Sequence, residues 1–247
     1  MNRERAVRAF RWSTIAHRWL ALIVGVQIFF WVAGGLVMTL LPIERVRGEH
    51  RVAEATPSPL DLGSLLSPAE AARRAGVSAL AKAELKSSPR GPIWILTPVR
   101  GEPVVVAAGT GLAPPRIGVS EAKRLAAVGY RGPGRPVSAV FFETAPEETG
   151  REGPLWRIDF DDPERTSFYL SPDTGEVVSK RSGLWRVFDL MWKLHAMDWD
   201  DGEDFNHPLM ILTAALATVI VLTGFVLLWF RMAPAAWRGG VRKGPPG

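Results

Sequence analysis

The sequence predicts a membrane α plus α+β protein, with two transmembrane helices flanking one folded domain. Three observations carry that expectation. Two long apolar runs contain no charge, cations are concentrated outside both runs, and a helix-then-strands pattern occurs twice between them.

The apolar runs come first. Trp19 to Leu41 is 23 residues without a charge, and Leu209 to Phe230 is a second such run of 22. About 20 apolar residues, rising 1.5 Å each, cross a hydrocarbon core of roughly 30 Å. Neither run carries the polar face of a surface helix. A secretory h-region is shorter, about 7–15 residues, and is followed by a small-residue cleavage site. The first run has no convincing site of that kind, so it reads as a retained span.

The charges give the orientation. Residues 1–18 hold Arg3, Arg5, Arg8, Arg11 and Arg18 against Glu4, and residues 231–247 hold Arg231, Arg238, Arg242 and Lys243 with no acid. The whole chain is +5, so the segment between these flanks is net acidic. Basic flanks stay on the cytoplasmic side of a membrane. The expectation is therefore a bacterial inner-membrane protein with both termini cytoplasmic and residues 43 to 206 in the periplasm. The sequence pI of about 10.0 then reflects membrane flanks that meet anionic lipid, and no aromatic-interleaved basic patch suggests nucleic acid. The chain has no cysteine, which excludes disulfides and thiolate metal sites.

The elements follow in order. Residues 1–18 read as a short basic helix entering the membrane, with Trp12 and Trp19 suited to the headgroup level. Residues 19–41 are the first span, where Ala21 and Gly25 form a small pair for helix packing and Gln27 is a costly mid-span polar group that calls for a helix–helix contact. Pro42 ends the span, and residues 42–63 read as a linker.

The folded domain is expected over 64–183. Ser67-Pro68-Ala69-Glu70 opens a helix stopped by Gly76, and Ser120-Glu121-Ala122 opens another stopped by Gly129. Ile93–Thr97 and Val104–Ala108 are the strands expected after the first helix. Ser138–Glu143, Leu155–Phe160 and Ser167–Leu170 are those expected after the second. In Leu155–Phe160, Trp156, Ile158 and Phe160 alternate with Arg157 and Asp159, as in a half-buried antiparallel strand. Residues 144–153 read as an exposed loop.

From Leu184 the period becomes helical. Trp185, Phe188, Met191, Trp192 and His195 share a face, which predicts an amphipathic helix on the outer membrane surface within a 184–207 segment. The acidic run Asp198 to Asp204 does not match an EF-hand loop, since Gly202 is fifth from Asp198 and Leu209 stands where a bidentate Glu is needed. Residues 208–230 are the second span, with Ala214 and Thr218 as a small pair, and 231–247 form the basic C-terminus. The sequence has no nucleophile elbow, H-E-x-x-H, phosphate loop or dinucleotide fingerprint.

Four stretches carry a family likeness: His17-Arg18-Trp19-Leu20; Leu155 to Phe160 with Tyr169 and Ser171 to Val177; Leu184 to Asp198 with Trp192-Lys193-Leu194-His195; and Asn206-His207-Pro208. Through them the chain resembles the PepSY-associated transmembrane helix family. The resemblance implies two PepSY-like repeats in the periplasmic domain. It also implies kinship with longer inner-membrane reductases that release iron from siderophores and bind haem b through histidines. A two-span chain needs a copy of itself, or a partner membrane subunit, to build an equivalent bundle. Its electrons would come from another protein or the quinone pool.

The chain has four histidines: His17, His50, His195 and His207. His17, His195 and His207 lie near span boundaries and are the candidate haem b ligands. His17 belongs at the inner face and His207 at the outer, about one hydrocarbon thickness or roughly 30 Å apart, so they do not share an iron. His195 and His207 both belong at the outer face and can converge. The plainer reading treats all three as amphipathic interface residues beside Trp and Arg. His50, in the linker, is not expected to be a ligand. Two functions follow: a haem b electron-transfer component linked to siderophore-iron reduction, or a non-enzymatic module that docks a periplasmic protein, as in peptidase restraint or an accessory scaffold. PepSY relatives in peptidase propeptides suggest the second.

Overall fold

A computed structural model describes residues 3–53, 60–197 and 207–232. The chain divides into two compact units. One comprises Met1–Leu40 with Asp189–Gly247, and the other comprises Leu41–Phe188.

The first unit is helical. Helix α1 runs from Arg3 to Leu40, so the basic entry and the first apolar run form one continuous rod about 57 Å long. Its segment Ala21–Leu40 is long and apolar enough to cross a membrane, with a mean hydropathy of 2.2. Helix α6 spans Pro208–Met232, and its described apolar part, Pro208–Leu222, is shorter. The C-terminal part of helix α5 (Gly183–Ala196) completes this unit. Among the described residues, a Cβ on Gly25 would meet nothing within 4 Å. Close approach occurs at Gly34 instead, where a Cβ would stand 3.3 Å from the Met191 carbonyl oxygen. Thr218 turns back on its own helix, donating to the Ala214 carbonyl at 2.8 Å.

The second unit is α+β and contains the repeat as two copies. In the first, helix α3 (Pro68–Arg74) packs on a three-stranded antiparallel sheet of β1 (Leu80–Ser88), β2 (Gly91–Pro98) and β3 (Val104–Ala107), in that order. Ser67 caps α3 as its sequence suggests, accepting from the Glu70 backbone N–H at 3.2 Å. In the second copy, helix α4 (Val119–Gly129) covers a four-stranded antiparallel meander of β4 (Pro136–Phe142), β5 (Leu155–Phe160), β6 (Ser167–Leu170) and β7 (Val177–Arg181). Ile158, Phe160, Phe168 and Leu170 point inward against Leu125 and Ala126 of α4. The turn into β7 needs glycine at 175 twice over. Its φ is +73°, and a Cβ there would collide with Leu125 Cδ1 at 2.5 Å.

Two expectations about this unit are refined. Within the expected linker 42–63, helix α2 (Ile43–Val46) and a following 3-10 turn form, and residues 51–53 bond to the second copy, while residues 54–59 lie outside the described residues. Val46 is only 2% exposed and Val52 bridges to Tyr130. The apolar valines supply the burial that a solvated linker lacks. Residues 144–153 are exposed at 144, 147 and 150–153, as expected of a loop, but the middle of the loop is held against the sheet. Thr149 is buried, and Glu148 accepts hydrogen bonds from the Tyr169 hydroxyl and the Arg186 guanidinium. The loop covers the second face of the sheet, where Tyr169, Ser167 and Ser179 are buried and need partners.

Candidate functional site

The histidine region is built on α1 and the end of α5. An α-helix leaves its last four carbonyls without intrahelical donors. In α5, Leu194 and His195 hold two of these. Gln27 Nε2 donates to the Leu194 carbonyl at 2.9 Å, and Trp31 Nε1 donates to the His195 carbonyl at 2.7 Å. Gln27 and Trp31 are one helical turn apart on α1, so a single face caps α5 through two side chains. This accounts for a polar glutamine in an apolar span. The last turn of α5 lies against the Gln27–Gly35 stretch of α1.

His195 sits in this contact. Its Nδ1 lies 3.1 Å from the Trp31 carbonyl oxygen. A carbonyl only accepts, so Nδ1 carries the proton and Nε2 keeps its lone pair. Nε2 has no hydrogen-bond partner among the described residues. Gly34 and Gly35 make the room, since a Cβ at Gly34 would stand 3.5 Å from His195 Cβ and one at Gly35 would stand 3.9 Å from His195 Cε1. The pairing is reciprocal: Trp31 takes a bond from the ring of His195 and gives one to its backbone.

The family model for the PepSY-associated TM region matches residues 14–245, a range that includes both apolar runs, the two copies and these histidines. The chain belongs to that family. No curated protein and no solved structure matches it.

This PepSY-associated membrane protein places the other histidines differently. His207 precedes α6, and among the described residues its Nδ1 is buried without a hydrogen-bond partner. An orphaned buried imidazole nitrogen costs free energy, of order 1–3 kcal/mol, unless something binds it. Among the described residues no hydrogen bond links His195 with His207. His17 lies in α1, 14 residues or about 21 Å along the helix from Trp31. His195 and His17 of one chain are thus too far apart to share an iron. His50 is engaged elsewhere: its Nε2 is 3.1 Å from Glu164 Oε2, and Arg51 pairs with the same carboxylate at 2.9 Å. The acidic run at 198–204 lies outside the described residues. Among the described residues, no group of three or more His, Asp or Glu could hold a metal ion.

A histidine whose Nδ1 is tied to a backbone carbonyl and whose Nε2 has no protein partner has the donor arrangement of a metal-ligating imidazole. Haem requires one or two such nitrogens rather than a three-carboxylate cage. Nε2 of His195 thus has the chemistry of a single ligating nitrogen. Sequence reasoning reached the histidines but missed Trp31 and Gln27 as their supports. Gln27 was visible as an anomaly, whereas Trp31 is hidden among ordinary apolar neighbours.

A second polar cluster lies in the α+β unit. Asp159 accepts from Arg157 Nε at 2.7 Å, Ser138 Oγ at 2.6 Å and Ser167 Oγ at 2.7 Å. Burial pushes its carboxyl upward, but these three bonds and the Arg157 charge together hold it below the usual range. Asp162, bonded by Tyr130 and Thr166, behaves in the same way. Burial and the Asp162 carboxylate push the Tyr130 phenol up to about 12. Apart from Thr166 Oγ1, which is buried without a partner among the described residues, these groups bond to one another inside the sheet and the turn after it, so they read as architecture.

Proposed function

We propose that this protein is a membrane-anchored haem b component of electron transfer, linked to the reduction of siderophore-bound iron. The observation that carries the reading is the His195 imidazole, protonated on Nδ1 toward the Trp31 carbonyl with Nε2 unpartnered among the described residues. When bound, haem b supplies one-electron chemistry. The Trp31 carbonyl fixes the tautomer of His195, and Gly34 and Gly35 let the ring lie close to α1. Gln27 and the Trp31 indole hold the end of α5 so that the ring stays in place. His207 is the candidate second ligand, and His17 is the candidate ligand of a separate site toward the other end of α1. A homo-oligomer or a partner membrane subunit would complete whichever site lacks a histidine. In this reading α1 and α6 both span the inner membrane, the termini are cytoplasmic and the α+β unit is periplasmic.

The test is spectroscopic. Full-length protein purified after expression with haem supplied should show a b-type reduced-minus-oxidised spectrum, and His195→Ala should abolish or strongly weaken it. A colourless wild-type protein would remove the proposal.

One observation favours a second, non-enzymatic reading. Strand β4 is an edge with no charged residue, and Val137 and Val140 are 56% and 44% exposed. The other edges are blunted: β1 carries Lys82, Glu84 and Lys86, β7 carries Lys180 and Arg181, and β3 is only four residues long. An uncharged edge suits strand addition by an extended periplasmic segment, as in a peptidase-restraining or scaffold module. A photo-crosslinker at Ser138 in intact cells should then capture a periplasmic protein, and Val140→Lys should prevent it. Absence of any adduct in the wild-type background would dismiss this reading.

A further inference from the structure

Strand β4 closes one side of its sheet on β5 and leaves the other side without a strand. The ladder shows which groups that open side offers. The Phe160 N–H points away from β4, donating to the Thr166 carbonyl, so Asp159 and Arg157 are the β5 residues whose backbone faces β4. They stand opposite Ser138 and Val140, whose N–H and C=O groups are used in that pairing. Ala139 and Phe141 alternate with them and turn their backbone groups outward. The Val137 carbonyl also turns outward, where Lys123 Nζ donates to it from α4 at 3.3 Å. Such a row of open groups is a template for another strand.

The charges around β4 say which strand fits. Arg135 precedes it and Glu143 follows it, and both are exposed with no side-chain partner among the described residues. Lys123 adds a second cation at the Arg135 end. The strand between them, Pro136–Phe142, carries no charge. A segment that is basic at one end and acidic at the other complements itself when run antiparallel and repels itself when run parallel. We infer that β4 pairs with β4 of a second copy of this chain, across a two-fold axis at Ala139. In that register Ala139 exchanges both backbone bonds with Ala139 of the second copy. The Phe141 N–H meets the Val137 carbonyl of the copy, and Arg135 stands opposite Glu143 of the copy at each end. The same patch serves both chains, as a two-fold contact requires, and the open edge disappears into one sheet made of both meanders. The inference rests on the strand-addition reading of β4 and names its partner.

The chain has no cysteine, so one introduced thiol reports the contact without background. Full-length Ala139→Cys, oxidised in native membranes with copper phenanthroline, should form a disulfide-linked dimer. A hydrogen-bonded antiparallel pair sets its Cα atoms about 5.5 Å apart, within disulfide reach. Arg100→Cys, on an exposed loop of the same unit, should give little dimer. Adding Arg135→Glu to Ala139→Cys should lower the dimer about fivefold, the effect of reversing two exposed ion pairs. Adding Glu143→Arg as well should restore it, which a misfolded variant would not do. The photo-crosslinker at Ser138 separates the partners: an adduct of twice the chain mass supports the second copy. An adduct with a different protein keeps strand addition and overturns this inference, and no adduct at all removes both. The inference is also overturned if Ala139→Cys gives no more dimer than Arg100→Cys, or if the double charge reversal fails to restore it.

Discussion

The two helix-and-sheet copies in the α+β unit share a plan but differ in how they are filled. In the first, α3 and one sheet face bury Ala71, Ala72, Leu96 and Val106, a small core made largely of short side chains. In the second, α4 covers Ile158, Phe160, Phe168 and Leu170 on one face. The docked α2 segment, the 144–153 loop and the start of α5 add to it, and the opposite face buries Tyr169, Ser167 and Ser179. Every buried polar residue of this unit among those described, from Thr149 to Ser182, belongs to the second copy. A sheet covered on both faces must satisfy its polar side chains internally, whereas a sheet with one wet face leaves that to water. The copies are joined through Arg90, at the β1–β2 turn of the first copy. It donates to the Pro115 and Asp173 carbonyls, at 2.8 and 3.2 Å, and pairs with Glu121 at 3.3 Å.

Core truncations test this contrast most strongly. Phe168 is fully buried in the second copy, and Phe168→Ala should cost about 3–5 kcal/mol. Leu96 is equally buried in the first, and Leu96→Ala should cost about 2–4 kcal/mol, because its small neighbours make fewer contacts to lose. Hydrogen exchange on the full-length protein separates the two. Phe168→Ala should release amides across β4–β7 and α4, while Leu96→Ala should release chiefly those of β1–β3 and α3. If Leu96→Ala loosens both copies alike, the unit has a single cooperative core and the comparison fails.

The same contrast explains what the sequence made legible. Leu155–Phe160 and Ser167–Leu170 are readable to the residue because apolar and polar side chains alternate, or because turns bracket them tightly. Strand β1 was missed: Leu80-Ala81-Lys82-Ala83-Glu84-Leu85-Lys86 is rich in residues that do not favour strands, and only its pairing with β2 fixes it. Val177–Arg181 was missed because its two valines run directly into Ser179, Lys180 and Arg181, with no alternation to mark a strand. Docking of the 43–53 segment and burial of the 144–153 loop depend on contacts remote in sequence, which periodicity does not encode. At the histidine site, the residue types and the mid-span glutamine were legible. The carbonyl of Trp31 was not, since a backbone acceptor carries no sequence signature. The first apolar run emerged as a membrane-length helix. The family match supports a membrane protein, and two spans with inward termini remain part of the proposal.

Acid sharpens the comparison with a smaller effect. Asp159 and Asp162 both lie in the second copy, and both are held below their ordinary range by hydrogen bonds and nearby arginines that outweigh burial. A carboxyl with a folded pKa below its unfolded value of about 3.9 binds protons more readily when unfolded. Its contribution is therefore complete above about pH 4 and is lost as pH falls through the lower folded value. The first copy has Glu70 shifted in the same direction by Arg73 and Arg74, but that pair is exposed and solvent screens it. Lowering the pH from 5 to 3 should thus loosen β4–β7 before β1–β3, as read by amide protection after an acid pulse. Asp159→Asn should weaken the second copy at neutral pH by removing the charge that Arg157 and two hydroxyls address, and should flatten its acid response. Earlier loss in β1–β3, or an unchanged acid response in Asp159→Asn, would mean that the buried carboxylates do not set the difference between the copies.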